Sequence, residues 1–163
     1  MMNNIIRIID YIGYNGPVIL FASTFYFLLQ RIPYVIAFTF GSIVNTFANE
    51  FLKNIFREPR PPNQIPFIDH DQLIGTHYYG FPSGHAQSCA FSIAFLVFTK
   101  GPETAIYFMT AIFITTLYQR WKYRRHSIKQ LIAGSVIGVL IAWLVHYLTE
   151  YYIYGYKHRW SFI

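Results

Sequence analysis

Charge is the first thing this sequence is short of. Of its 163 residues only 12% are Asp, Glu, Lys or Arg, about half the share of a soluble globular domain, which argues against a water-exposed surface over most of the chain. Acidic residues are scarcer still, 7 against 13 Lys and Arg, which leaves a net charge of +6. There is one cysteine, Cys89, so no intrachain disulfide can form and cysteine usage does not reveal the redox compartment. No internal repeat or low-complexity tract is present, and Asp69-His70-Asp71 with His77 has the spacing of no standard metal site.

What the chain does have is apolar surface: 54% hydrophobic and 20% aromatic residues. It reads as a membrane protein whose expected partners are the bilayer and an anionic lipid or phosphate, with no nucleic acid. Cationic loops flanking spans account for much of the positive charge. The length suits one integral-membrane domain, residues 1–163, without a large soluble appendage.

Met1 to Tyr14 alternates Ile pairs with Asn3, Asn4, Arg7 and Asp10. It predicts a short helix at the membrane interface rather than a cleaved signal peptide, whose apolar region Asp10 and Asn15 would interrupt. Apolar stretches follow at Pro17–Gln30, Tyr34–Phe56, Ala86–Thr99, Pro102–Leu117 and Ile128–Leu148. A bilayer crossing takes about 20 residues, so these predict an all-α, polytopic helical bundle of about five transmembrane helices. Gly101-Pro102 makes a tight hairpin of the third and fourth, and Gly134 and Gly138 have the spacing that lets helices approach closely. Tyr147, Tyr151, Tyr152, Tyr154, Tyr156 and Trp160 read as an interfacial aromatic belt. The proline-rich loop from Arg57 to Pro82 is too polar to span and long enough to form a lid.

The stretch Phe81-Pro82-Ser83-Gly84-His85 organises the polar residues. A Pro-Ser-Gly turn entering an apolar helix leaves free backbone N–H groups at a positive helix end, a seat for phosphate with a histidine on its rim. In the second span Asn45, Asn49 and Lys53 share one i, i+4, i+8 face, and polar groups at such depth need a cavity or a partner. Five spans would bring Lys53 and Arg60, Ser83 to His85, and Arg120 to His126 to one side of the membrane. Lys53, Arg60 and Arg120 would neutralise phosphate and the charge that spreads over its oxygens during transfer. Of His85 and His126, one can attack phosphorus and the other can protonate the departing oxygen. This chemistry requires no metal or cofactor. His146 and His158 read as structural.

These residues fall into three motifs: KNIFREPRP from Lys53 to Pro61, PSGH from Pro82 to His85, and Arg120 followed after five residues by His126. In them the chain resembles the type 2 phosphatidic acid phosphatase (PAP2) superfamily, which includes vanadium-dependent haloperoxidases. The resemblance implies a metal-independent lipid phosphate phosphatase without a cofactor. It implies Lys53, Arg60 and Arg120 as phosphate ligands, Ser83 and Gly84 as further donors, His85 as general acid and His126 as the nucleophile that becomes a phosphohistidine. Gln119 stands where that pattern has serine, and Gln130 where it has the aspartate that orients the nucleophile. At i, i+4 from His126, Gln130 is expected to accept from the imidazole N–H in the aspartate's stead, without its charge.

The dolichyl-diphosphatase branch is similar in carrying glutamine there, and in the run Glu58 to Pro61, the pattern Gly80 to Gln87 and an asparagine near Asn49. It implies a polyprenyl (dolichyl-type) diphosphate substrate. Phosphatidic acid or another lipid monophosphate is the alternative, and an inactive lipid-phosphate-binding protein is the alternative of another class. A haloperoxidase-like vanadate protein fits poorly for want of a larger soluble architecture. A transporter fits poorly because the polar residues gather at one face rather than the midplane. The resemblance implies a site on the luminal or outer face of an endomembrane or plasma membrane, against the positive-inside reading of Arg120 to Arg125.

Overall fold

The apolar runs become helices, and their punctuation sets the joints. A computed structural model describes residues 2–67 and 78–155. In it α1 (Met2–Tyr14) meets α2 (Gly16–Leu28) at an elbow bent by 65°. Pro17 opens α2 at no cost, because its missing N–H belongs to a turn that has no acceptor for it. α3 (Ile32–Phe56) carries Pro33 in its first turn and ends where Arg57 turns left-handed. α4 (Gly84–Phe98) is capped by Ser83, and α5 (Glu103–Lys122) follows the Gly101-Pro102 break. α6 (Ile128–Thr149) opens with a capping box between Ser127 and Gln130 and continues into a π-helical turn, Glu150–Tyr154.

Helix α4 is the axis of the bundle. Its Ala86, Cys89, Phe91, Phe95 and Leu96 are buried, and the Phe91 and Phe95 rings each lie 5.5 Å from Phe38 of α3. Gly134 and Gly138 let α6 press against α4, for a Cβ at either would run into a backbone carbonyl, that of Ser83 or Gln87. His146 is packed among the Tyr34, Phe95 and Phe98 rings, in keeping with a structural role.

Outward, Ile36, Phe40, Phe47, Ile132, Val136 and Leu140 are exposed. An apolar exterior on apolar helices is what lipid solvates, and the chain is an integral membrane protein. α3 and α6, the latter with its extension to Ile153, are long and apolar enough to cross a bilayer, and α1–α2 joins them if the bent pair counts as one span. α4 has 15 residues, a length of about 22 Å against a hydrocarbon core of about 30 Å. α5, with Gln119, Arg120 and Lys122 in its last turn, is not apolar enough to qualify. The expected five segments are therefore all helical, but fewer than five have the length and apolarity of a span.

Helix α1 is more than an interfacial helix. It lies along α5, pinned by the buried Asp10, whose Oδ2 accepts from Lys122 Nζ (2.7 Å) and the Tyr123 hydroxyl (2.9 Å). The loop after α3 folds over the same end of the bundle. Pro59 bridges to Tyr79, Gly80 N donates to Glu58 O (2.8 Å), and Ile65 N donates to Tyr123 O (3.1 Å). Asp69, His70, Asp71 and His77 of that loop lie outside the described residues, as do Tyr156, His158 and Trp160 of the tail.

Candidate active site

At the end of the bundle where α3 and α5 finish and α4 and α6 begin, the walls enclose a cavity of about 470 Å³. Lys53, Arg60, Gly84, His85, Arg120 and His126 all line it. Three separate segments thus bring their cations and both histidines to one place. Helix α4 adds its positive end, a favourable setting for an anion.

His126 sits between α5 and α6, 3% exposed. Its Nδ1 lies 2.9 Å from the Gly80 carbonyl, and its Nε2 lies 3.2 Å from Arg60 Nη1. A carbonyl can only accept and a guanidinium can only donate, so the two contacts together assign the tautomer: Nδ1 carries hydrogen and Nε2 carries a lone pair. Burial, and after it the charges of Arg60 and Arg120, hold this imidazole well below its ordinary pKa, with the Gly80 carbonyl opposing. The ring is therefore a neutral base with its free electron pair toward the cations.

The cations are held in place by the scaffold. Arg60 Nη1 also donates to Arg125 O (2.9 Å), which fixes the guanidinium beside His126. Lys53 Nζ meets Glu50 Oε1 at 3.2 Å, and both residues line the cavity. The polar stripe of α3 is buried, with Asn45 2%, Asn49 5% and Lys53 4% exposed, and it divides its work. Asn49 Nδ2 donates to Gln87 Oε1 (2.8 Å) and Pro82 O (3.3 Å), while Gln87 Nε2 donates back to Asn45 O (2.8 Å) and Oδ1 (3.0 Å). These amides lock α3 to the start of α4, and of the three stripe residues Lys53 is the one that carries a charge into the cavity, beside Glu50.

Two expected site residues have other work. Ser83 is fully buried and does not line the cavity: its Oγ accepts from Ala86 N, and its N–H donates to Gln130 O (3.1 Å). The N-cap position that makes the turn also claims the hydroxyl. Gln130 does not bond His126. Its Oε1 accepts from Ser127 N (3.1 Å), and its Nε2 donates to Glu58 Oε1 and Pro59 O, both at 2.9 Å. The capping box uses up the carbonyl expected to orient the imidazole, and Gly80 supplies that carbonyl instead. The Gln130 and Lys129 side chains hold the Glu58 carboxyl below its usual pKa.

Sequence reasoning missed several residues of the wall. Tyr14 and Asn15 of the α1–α2 elbow line the cavity, as do Glu50, Ser88 and Arg125. The Asn15-Gly16-Pro17 break was the available signal for the elbow, and the Arg120 to Arg125 run for the last cation. Pro17, Val18, Thr46 and Ser88 also line a second cavity of about 370 Å³ that runs on between α2, α3 and α4 past Phe21, Ile43 and Phe91. A polar chamber at the helix ends thus continues into a largely apolar groove.

Comparison with known proteins agrees with this geometry. The family model of the PAP2 superfamily matches residues 32–154. A curated relative, the lipid A 4'-phosphatase of Bacteroides thetaiotaomicron, is 27% identical over 152 residues, covering 85% of this chain and 68% of the relative. Among solved structures, the transmembrane PAP2-type phosphatidylglycerolphosphate phosphatase from Bacillus subtilis superposes with a TM-score of 0.64 at 19% identity, over 89% of this chain and 76% of that one.

Proposed function

The chain belongs to the PAP2 superfamily, and from that premise we propose that it is a membrane lipid phosphate phosphatase working through a phosphohistidine on His126. The observation that carries this reading is the His126 tautomer, with Nδ1 on the Gly80 carbonyl and Nε2 facing Arg60 in a cationic cavity. A substrate phosphate seats among Lys53, Arg60, Arg120 and the Gly84 N–H, displacing the Arg60 contact from Nε2. His126 Nε2 attacks phosphorus and a P–N bond forms while the P–O bond to the lipid breaks. Burial and the cations keep His85 neutral at rest, so it takes a second proton from the substrate's phosphate monoanion on binding and gives that proton to the departing oxygen. Water then attacks the phosphohistidine and His85 takes its proton; the P–N bond breaks and inorganic phosphate leaves, with His126 again neutral. The cations stabilise charge that grows on the phosphoryl oxygens in both steps. No step calls for a metal ion. The lipid chain lies in the groove that continues from the cavity.

The Gly80 carbonyl, standing where Gln130 was expected, supports turnover over binding alone, because the nucleophile is oriented without an aspartate. As to substrate, the dolichyl-diphosphatase-like residues support a polyprenyl diphosphate, cleaved to the monophosphate and inorganic phosphate. A lipid monophosphate is the second reading, favoured by the relative whose name gives a lipid A 4'-phosphatase. Of the branch-like residues, Glu58, Gln87 and Gln130 do not line the cavity: Gln130 bonds Glu58, and Gln87 bonds Asn45 and Asn49, so these three weigh on scaffold more than on substrate. Phosphate release by the purified protein from a panel of polyprenyl diphosphates, polyprenyl monophosphates and phosphatidic acid tests both levels. Release from at least one lipid is expected; release from none would overturn the assignment.

A further inference from the structure

We propose that the α1–α2 elbow is a built part of this active site, in which the Tyr14 backbone carbonyl holds the His85 ring in the orientation that protonates the departing lipid oxygen. This rests on the phosphatase reading above, and the elbow, Gly13 to Gly16, lies outside the 32–154 segment that the family model matches.

The elbow reaches the site because glycines flank it. A Cβ on Gly13 would meet Thr115 O at 2.6 Å and Gln119 Cβ at 2.8 Å, and a Cβ on Gly16 would overlap the Thr116 hydroxyl. Only residues without a side chain let the backbone press so close to α5, within two turns of Arg120. Upstream, Asp10 fastens α1 to Lys122 and Tyr123. Alongside, Phe67 of the loop packs on the Tyr11 ring at 4.9 Å and the Tyr14 ring at 5.5 Å. The chain between these fixings has little freedom, and its turn falls on the cavity: Tyr14 and Asn15 line it beside His85.

At that point the Tyr14 carbonyl accepts from the His85 ring. The Tyr14 ring lies 6.1 Å from the imidazole, and Arg120 Cζ lies 5.9 Å from the Tyr14 ring centre. A carbonyl has no proton to give, so the ring nitrogen facing it carries hydrogen throughout, and the other nitrogen is the one that exchanges a proton with the reacting oxygens. Tyr14 is thus a positioning residue for the general acid, as Gly80 is for the nucleophile.

Gly16→Ala displaces the elbow without touching a residue of the reaction, and Thr116→Ala removes the hydroxyl that the new methyl meets. The full chain in liposomes is assayed with dodecyl phosphate and with a dodecyl-bearing nitrophenyl phosphate, whose leaving oxygen departs without protonation. Gly16→Ala is expected to lower kcat/KM for dodecyl phosphate on the order of tenfold or more, as loss of general-acid assistance does, with little change in kcat/KM for the nitrophenyl compound, because kcat/KM ends at departure of the lipid oxygen and leaves out the later water step in which His85 acts again. His85→Ala should give the same pattern, and adding Thr116→Ala to Gly16→Ala should recover the dodecyl phosphate rate. Equal losses on both substrates, no loss on either, or no recovery in the double variant would overturn the proposal. A parent that hydrolyses neither compound counts against the phosphatase reading instead.

Discussion

Gln130 Nε2 donates to Glu58 Oε1 across 2.9 Å, so the first turn of α6 is tied to the loop that carries Arg60 and not to the imidazole of His126. The same amide fills the space beside Gly80, where an added Cβ would meet it. Gln130→Glu keeps an acceptor for Ser127 N but sets a second carboxylate against Glu58. The expected cost is about 1–3 kcal/mol, the penalty for leaving such groups without a donor, read as a lower thermal midpoint in detergent. Adding Glu58→Gln should restore the bond and recover part of the midpoint, the Pro59 carbonyl and Lys129 still lacking their partners. An unchanged midpoint for Gln130→Glu would show that the tie carries no weight.

The pH profile follows from the surroundings of His126. Burial and the charges of Arg60 and Arg120 lower its pKa, and only the neutral ring attacks phosphorus. Protonation, which would abolish attack, is therefore deferred to lower pH, and the acid limb of kcat/KM should lie below the ordinary imidazole value of about 6.5. Arg60→Met, though slower, removes one charge and should move the limb upward; comparing the two on one substrate cancels the substrate's own ionisation. A limb that stays put or moves downward in Arg60→Met would contradict this electrostatic reading.

How far the molecule is legible from its sequence depends on whether the competing partners are local. Helix limits are legible at Pro17, Pro33 and Gly101-Pro102, where the backbone itself enforces the break. The buried stripe Asn45, Asn49 and Lys53 is legible because one helix face repeats every turn. Gln130 is not, since its spacing from His126 suits a hydrogen bond, while the partners that win are Ser127 N and a carboxylate 72 residues away. Ser83 fails in the same way: a residue that suits a phosphate also suits an N-cap, and spacing cannot rank the two. The Tyr14 and Gly80 carbonyls leave no side-chain signature at all, although they orient the two histidines.

Chelation bears on the chemistry assigned to the side chains. If His85, His126 and the three cations carry the reaction, hydrolysis should persist in excess EDTA. Vanadate should inhibit by occupying the same cradle as a five-coordinate mimic of phosphorus. Activity lost on chelation and restored by a divalent ion would contradict the assignment.

The proposed reaction passes through a covalent bond between phosphorus and His126 Nε2. The most direct measurement traps it: the protein is mixed with a lipid phosphate radiolabelled in its terminal phosphoryl group, quenched in alkali, where a phosphorus–nitrogen bond survives, then digested and mapped. The label should appear on the peptide containing His126, leave on mild acid treatment, and be absent from His126→Ala, which still binds vanadate through Lys53, Arg60 and Arg120. Label on another peptide, or equal label in His126→Ala and the parent, would contradict it.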